Sequence, residues 1–482
     1  MNVDGLRLFD YPGTELWPIL GRVVQPFLSQ PFVLGCFSGY GKPDTVDDFL
    51  LPFVEDMQRC MSVGVVLDGD VNSQPIDLHS IICDTVARAF IRKVKCHTGY
   101  YGCDKCVQKG KYYPSRRMSF PRIRSQLRTD ADFREQRYSE HHTGLSILTN
   151  LQINMVQQFP LDPMHLVFLG VVKRFLNQIF FGDRLSGYRL SRAQIRHLDA
   201  LTKDLVNFMP VDFPRKCSSV EICDRWKANE CRQFLLYIGP VAFKQILPRP
   251  LYETFLNLSC AISILSHACY HSQLVNVAQT LLERFILQFA TLFGEDQIVY
   301  NVHCLSHLVD DVIHFGPLHS FSSFPFESFM SSIKKDIKGR KHPEVQLRNR
   351  AHERSTNLNI ATVSLVDDTF ISRTNNATRG MFLFRETCYI SASSPDNCIL
   401  ANNTVYLVRS ITKQVAWCKR FLSTTDLYDH EIPSSVLNIY IARTLSEDLQ
   451  PVPFSSIYCK CVCFPTDFGH VIIPVLHSIK PT

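Results

Sequence analysis

The spacing of apolar positions changes three times along the chain. Short apolar runs at Met1 to Phe9, Leu16 to Val24 and Phe32 to Phe37 are separated by Pro, Gly and Asp, which predicts three strands. Val46, Phe49, Leu50, Phe53, Val54 and Met57 then recur every three or four residues, the period of a helix. Thr45 and Asp48 stand ahead of them as a capping box. Ile76 to Cys83 reads as a fourth strand, ending in the apolar triplet Ile81, Ile82, Cys83 and stopped by Asp84.

From Lys109 to Asn150 the periodicity is lost. Lys109, Lys111, Arg116, Arg117, Arg122, Arg124 and Arg128 alternate there with Tyr112, Tyr113 and Phe120, a pattern that suits either a phosphate-tracking segment or a solvated connector. Leu161 to Val302 is helical in pattern, as Phe255, Leu258, Ala261, Ile262 and Leu265 illustrate. After Val363 short β-rich runs follow at Thr404 to Val408, Val415 to Phe421, Val436 to Ile441 and Val471 to Val475. The order β, β, β, α, β is that of an RNase H-like opening. The fold expected is therefore an α/β RNase H-like core with a mixed sheet, interrupted by a large all-α insertion and followed by a small β-rich carboxy-terminal domain. The segments expected are 1–110, the first part of the core with a CxxC knuckle; 111–300, connector and insertion; 301–350, a His pair and a further helix; and 365–482.

Composition narrows the function classes. The chain has 482 residues, 45% hydrophobic and 20% charged, with a formal charge of +6, which permits a polyanionic partner without demanding one. Met1 to Asp10 is acidic from the start and lacks the apolar run of a secretory signal. Lys173, Arg174 and Gln178 interrupt the longest apolar stretch, Leu161 to Phe181, so a buried helix is expected there rather than a membrane span. The 18 cysteines then read as reduced thiols and metal ligands in nucleus or cytoplasm, not as a disulfide framework. The sequons at Asn257, Asn376 and Asn402 carry no weight in those compartments.

Three groups of residues carry chemistry. Cys103-x-x-Cys106, with Gly102 and Lys105 beside it, has the form of a knuckle that turns two thiolates toward one zinc. Its other ligands are either local, Cys96 and His97, or distant, His303 and His307, which lie four apart on a helix; two ordinary thiols are the plainer reading. Asp4 on the first strand, Asp84 after the fourth and Glu327 opening a helix lie where this fold brings carboxylates together. Such a set holds two Mg²⁺ ions for in-line attack on phosphorus. In the helix after Glu327, Phe326, Phe329, Met330, Ile333 and Ile337 form an apolar stripe, with Lys334 and Lys338 as candidate DNA contacts. Asp162 and His165, in Asp162-Pro163-Met164-His165, read first as a helix start, with Asp162 as N-cap and Pro163 in first position, and secondarily as a metal or DNA pair.

Cys83-Asp84-Thr85-Val86-Ala87-Arg88-Ala89, Gly99 to Cys106, Phe159 to His165, Trp226 to Glu230, Phe234 to Pro240, His303 to Asp311 and Phe324-Pro325-Phe326-Glu327 together resemble successive blocks of CACTA (En/Spm-like) DNA transposases of animals, over Asn2 to about Arg350. The resemblance implies a DDE transposase with Asp4, Asp84 and Glu327 catalytic, holding Mg²⁺ or Mn²⁺. It also implies a structural zinc on Cys103, Cys106, His303 and His307, DNA as partner, a homo-oligomer when active, a nuclear location and no membrane. Asp4 lies three residues after Met1, Thr85-Val86 replaces the usual Ala-Pro, and Asn229 replaces a Thr. These departures imply the alternative of a truncated or domesticated, catalytically inactive derivative that serves as a DNA-binding or protein-interaction scaffold.

Overall fold

The structure, a computed structural model, describes residues 1–9, 14–66, 72–183, 187–213, 215–358, 382–384, 388–412 and 415–479. The chain divides into two compact units, each built from two stretches: Met1–Val167 with Glu295–Val363, and Phe168–Gly294 with Ser364–Thr482.

In the first unit the three expected strands form. β1 (Asn2–Val3) and β2 (Leu6–Arg7) both pair antiparallel with β3 (Thr14–Gly21) in one continuous register, Asn2 opposite Leu20 and Arg7 opposite Glu15. They are two halves of one strand, broken where the Asp4 carboxylate accepts the Gly5 N–H (2.7 Å). β3 is central and buried from Leu16 onward, and its other edge pairs with β4 (Phe32–Tyr40). Helix α1 (Val46–Val63) follows, burying Val46, Leu50 and Val54. The expected capping box does not form. Thr45 Oγ1 bonds the Asp48 carboxylate instead of the helix backbone.

The expected strand at Ile76 to Cys83 is also corrected. It is an extended segment joined in parallel to β1 by a single bridge, Asn2 with Ile82. Ile82 N donates to Met1 O (2.8 Å), the Met1 amino group to Ser80 O (2.9 Å), and Asn2 Nδ2 to Ile82 O (2.8 Å). β1 is only two residues long before its break, so no longer ladder has a partner. Asp84 then caps helix α2 (Thr85–Arg92), its Oδ1 accepting the Ala87 N–H at 2.6 Å. Val3, Trp17, Leu50, Ile81, Ile91 and Phe159 belong to one core beneath these elements.

The basic stretch is more ordered than its composition implies. Lys111–Tyr113 and Arg117–Ser119 form a hairpin, and Asp130–Arg134 a short helix. Phe120 and Arg128 are buried, Arg128 Nε donating to Cys103 O (3.0 Å). For those two residues the phosphate-track reading fails, because closing the knuckle needs them inside.

The second unit combines helices with the carboxy-terminal strands. Arg249–Ser266 and Val275–Phe293 pack against each other, and Phe255, Leu258, Ala261, Ile262 and Leu265 are all buried as their spacing predicts. Phe175 sits among Phe243, Phe255, Phe285 and Phe289, with ring centres 5.9 to 6.5 Å away. Among the described residues of the β-rich part, seven antiparallel strands form one sheet, and Phe382–Phe384 pairs with Cys388–Ile390 in a separate hairpin. Thr404–Ile411 pairs with Cys398–Ala401 on one side and Val415–Asp426 on the other; from Cys398–Ala401 the path runs through Ile457–Thr466, Gly469–Pro474 and Tyr440–Leu445 back to Val415–Asp426. Six strands thus close a ring, which leaves few open edges, and Gln450–Pro453 adds outside it.

The run at Val436 to Ile441 begins as a 3₁₀ turn, Ser434–Leu437, and becomes strand only at Tyr440. The β-rich part forms at the carboxy terminus as expected, and it clusters with Phe168–Gly294 in one compact unit. The contacts explain why: Lys244 Nζ donates to Leu427 O (2.7 Å), His430 bonds Asn257 (2.8 Å) and Leu476 N donates to Tyr237 OH (3.3 Å). The expected start near 365, and Asn376, lie outside the described residues. Among the described residues, one helix, Met164–Phe181, is long and apolar enough to cross a membrane, and 56% of it is buried inside the protein.

Candidate metal centres

The CxxC knuckle depends on glycine. A Cβ on Gly102 would stand 2.4 Å from Cys96 O, so only glycine lets the loop close. Cys103 and Cys106 then point the same way, their Sγ atoms 3.5 Å apart. His303, in the helix Tyr300–Cys304, and His307, ending the following 3₁₀ turn, arrive from 197 and 204 residues along the chain. Cys106 Sγ lies 3.3 Å from His303 Nε2, Cys103 Sγ 3.8 Å from His307 Nε2, and the two Nε2 atoms are 3.3 Å apart. All four residues are buried, and the group has the geometry to hold one metal ion. Cys96 and His97 bond each other (3.0 Å) and stay outside it. Burial opposes ionisation of Cys103, but hydrogen bonds from Cys106 and Cys304 and the charge of His303 hold its thiol well below the usual range. Burial likewise opposes charge on His307, and the bond to Cys103 raises it nonetheless.

A buried polar network, not anticipated from sequence, holds the knuckle to α2. Asp104 pairs with Arg88 (2.6 Å) and Arg92 (3.2 Å) and accepts from Tyr300 OH (2.7 Å). Burial would raise the Asp104 carboxyl, yet the two guanidiniums outweigh it and keep it far below the ordinary carboxylate range. Lys105 pairs with Asp311 (2.8 Å), whose other oxygen accepts the Leu161 N–H (2.7 Å). The only hint in sequence was two charged residues between the cysteines.

The second centre gathers acids. Asp4 stands at the break of the first strand, and Glu327 in the first turn of Phe324–Asp336, where Pro325 suits a helix start. Of the stripe on that helix, Phe326, Met330, Ile333 and Ile337 are buried and Phe329 is half-buried. Lys334 ties the helix back by donating to Arg7 O (2.9 Å), and Lys338 is exposed. Asp4, Glu327 and His165 bring one donor atom each within 4.8 Å of one another. Asp84 is not in that group, although its charge bears on Asp4 and Glu327; one of its oxygens is spent on capping α2.

Asp162 caps as expected, accepting the N–H groups of Met164 and His165 (3.2 Å each), with Pro163 at the first helical position. It also accepts the Ser323 N–H (2.8 Å) and bonds His165 Nδ1 (2.6 Å). The segment that follows, Met164–Val172, is wound as a π-helix, a form frequent at functional sites.

The charges are mutually dependent. Burial pushes the Asp4 carboxyl up to about 7, with the charges of Asp84 and Glu327 adding to it. Burial raises Glu327 as well, against the His165 ring. Burial opposes charge on His165, but Asp162 carries it up to about 9. Below about pH 7 Asp4 keeps a proton that a cation must displace. Divalent-metal affinity is therefore expected to rise by roughly tenfold per pH unit up to about 7. Because the folded value exceeds the unfolded one, the metal-free protein loses stability as pH rises from about 4 to about 7, and metal should restore it most above 7. Melting scans with and without Mn²⁺ across that range check both signs.

A family described as a domain of unknown function (DUF8592) matches residues 375–475, which include all six strands of the ring. No curated protein matches the chain.

Proposed function

We propose that the first unit is the RNase H-like catalytic core of a DDE transposase of the CACTA group, cleaving DNA phosphodiesters and transferring the strand. The observation that carries this reading is the convergence of Asp4 and Glu327, from opposite ends of the unit's sequence, beside the helix capped by Asp84. The β, β, β, α, extended-segment order, with the last segment parallel to β1, supports the same fold. Mg²⁺ or Mn²⁺ bound there would activate the attacking oxygen and stabilise the leaving one. Asp4 and Glu327 would hold the ion, Asp84 would add negative charge from the end of its segment, and Lys338 would meet the DNA backbone.

The Cys/His group suits zinc. A tetrahedral zinc with bonds of about 2.0 to 2.3 Å sets its ligands roughly 3.3 to 3.8 Å apart, and the four contacts run from 3.3 to 3.8 Å. Its task there is to clasp the knuckle to the helix of His303. DNA is the partner on this reading, the nucleus the location, and a homo-oligomer the active form.

The test is nicking of a plasmid by the full chain with Mg²⁺ or Mn²⁺. Wild type is expected to nick, and Asp4→Asn, Asp84→Ala and Glu327→Ala to fall to background; wild-type cleavage by any of the three would refute the assignment. The position of Asp84 outside the tight donor group favours a second reading, a non-catalytic DNA-binding scaffold. Retained duplex binding without metal-dependent nicking in the wild type would establish it.

A further inference from the structure

From the geometry of the acid pocket we infer that His165 is a direct ligand of the divalent cation held by Asp4 and Glu327, through Nε2, and that Asp162 is the positioning residue that aims it. The inference rests on the metal-dependent reading above and adds a nitrogen ligand to it. Three observations carry it. First, the donor atoms that approach one another within 4.8 Å are those of Asp4, His165 and Glu327, not those of the three acids. Second, His165 Nδ1 is committed to Asp162 Oδ2 at 2.6 Å, which leaves Nε2 as the free ring nitrogen, and Nε2 faces Glu327 Oε1 at 4.0 Å. That separation is too long for a hydrogen bond, yet two donors with bonds of about 2.1 Å to one ion can span it. Third, Asp162 is buried and fixed by three backbone N–H groups, among them that of Ser323, which immediately precedes the Glu327 helix. A carboxylate behind a ligating histidine fixes both its tautomer and its orientation. His165 itself is only part-buried, its side chain 27% exposed, so an ion can reach it.

An imidazole ligand shifts preference away from Mg²⁺, which favours oxygen, toward Mn²⁺. The site is thus assigned a mixed nitrogen and oxygen donor set selective for a transition metal.

The experiment uses the full, zinc-loaded chain with one equivalent of Mn²⁺, read by pulsed electron paramagnetic resonance for coupling of the ion to ¹⁴N. Wild type is expected to show imidazole ¹⁴N coupling that becomes ¹⁵N coupling when the protein is made with ¹⁵N-histidine. His165→Gln should still bind Mn²⁺, about tenfold or more weaker, without the coupling, and its ratio of Mn²⁺ to Mg²⁺ affinity should drop. Asp162→Asn should keep the coupling and weaken binding by about tenfold. Bound Mn²⁺ without ¹⁴N coupling in the wild type, or coupling that survives in His165→Gln, overturns the assignment, and the isotope arm holds even if the variant does not fold. If the coupling is present but no DNA is nicked, the nuclease reading falls and the ligand assignment stands.

Discussion

On the zinc reading proposed for Cys103, Cys106, His303 and His307, removing the ion by a chelator or by Cys103→Ser is expected to lower the melting temperature by about 10 to 20 °C or more. Structural zinc contributes roughly 10 to 16 kcal/mol of apparent binding energy to small sites, whereas a whole domain is stable by about 5 to 15 kcal/mol. Even a third of that contribution is a large share of the reserve, at about 2 to 4 °C per kcal/mol for a unit of this size. Without the ion, the four donors pair only with one another in a closed interior, a weaker arrangement than shared coordination. The measurements are calorimetry and metal content by mass spectrometry, one zinc per chain in wild type and none in Cys103→Ser. Cys96→Ser should change neither, because the Cys96 thiol bonds its neighbour His97 and lies outside the group. A Cys103→Ser protein that keeps both its zinc and its melting temperature would remove this centre.

The order of the first elements was legible because short apolar runs between turn residues leave few alternatives. Its details were not. A capping box is written in two residue types, but the side chains of Thr45 and Asp48 found each other before they found the backbone. The fourth strand had a strand's pattern and lacked only a partner long enough to form a ladder with, which depends on where β1 breaks. In the knuckle, CxxC spacing marked half a site, and the other half lies about 200 residues away; spacing cannot report contacts at that distance.

His165 shows the same limit from the other side. Asp162-Pro163-Met164-His165 read correctly as a helix start and only secondarily as a metal or DNA pair; spacing could not report that the carboxylate that caps the helix also holds the ring toward Glu327. The charged pair between Cys103 and Cys106 would pass for a solvated turn in any local reading. Both residues are inside, and their partners are Arg88 and Arg92 on α2 and Asp311. Basic residues in 109–150 mislead in the opposite sense, since Arg128 serves the fold while Lys111 and Arg116 remain exposed.

Lys460→Met is expected to destabilise the second unit by about 3 to 5 kcal/mol, a fall of about 10 °C or more in its melting temperature. The side chain of Lys460 has no exposure, and its ammonium lies 2.5 Å from both Asp212 and Asp396. Each acid also fixes backbone: Asp212 accepts the Tyr389 N–H (3.0 Å) and Asp396 the Val211 N–H (3.1 Å). The ammonium therefore holds the segment before Phe213 to the strand ring, linking the helical stretch of the unit to its β-rich one. Methionine fills the same volume and leaves two carboxylates facing each other in the interior without a cation. Adding Asp212→Asn and Asp396→Asn to Lys460→Met removes both stranded charges and should recover most of the stability. A Lys460→Met protein as stable as wild type at pH 7 would show that the ammonium is not what satisfies the two acids, and a triple variant no more stable than the single one would show that stranded charge is not the cause of the loss.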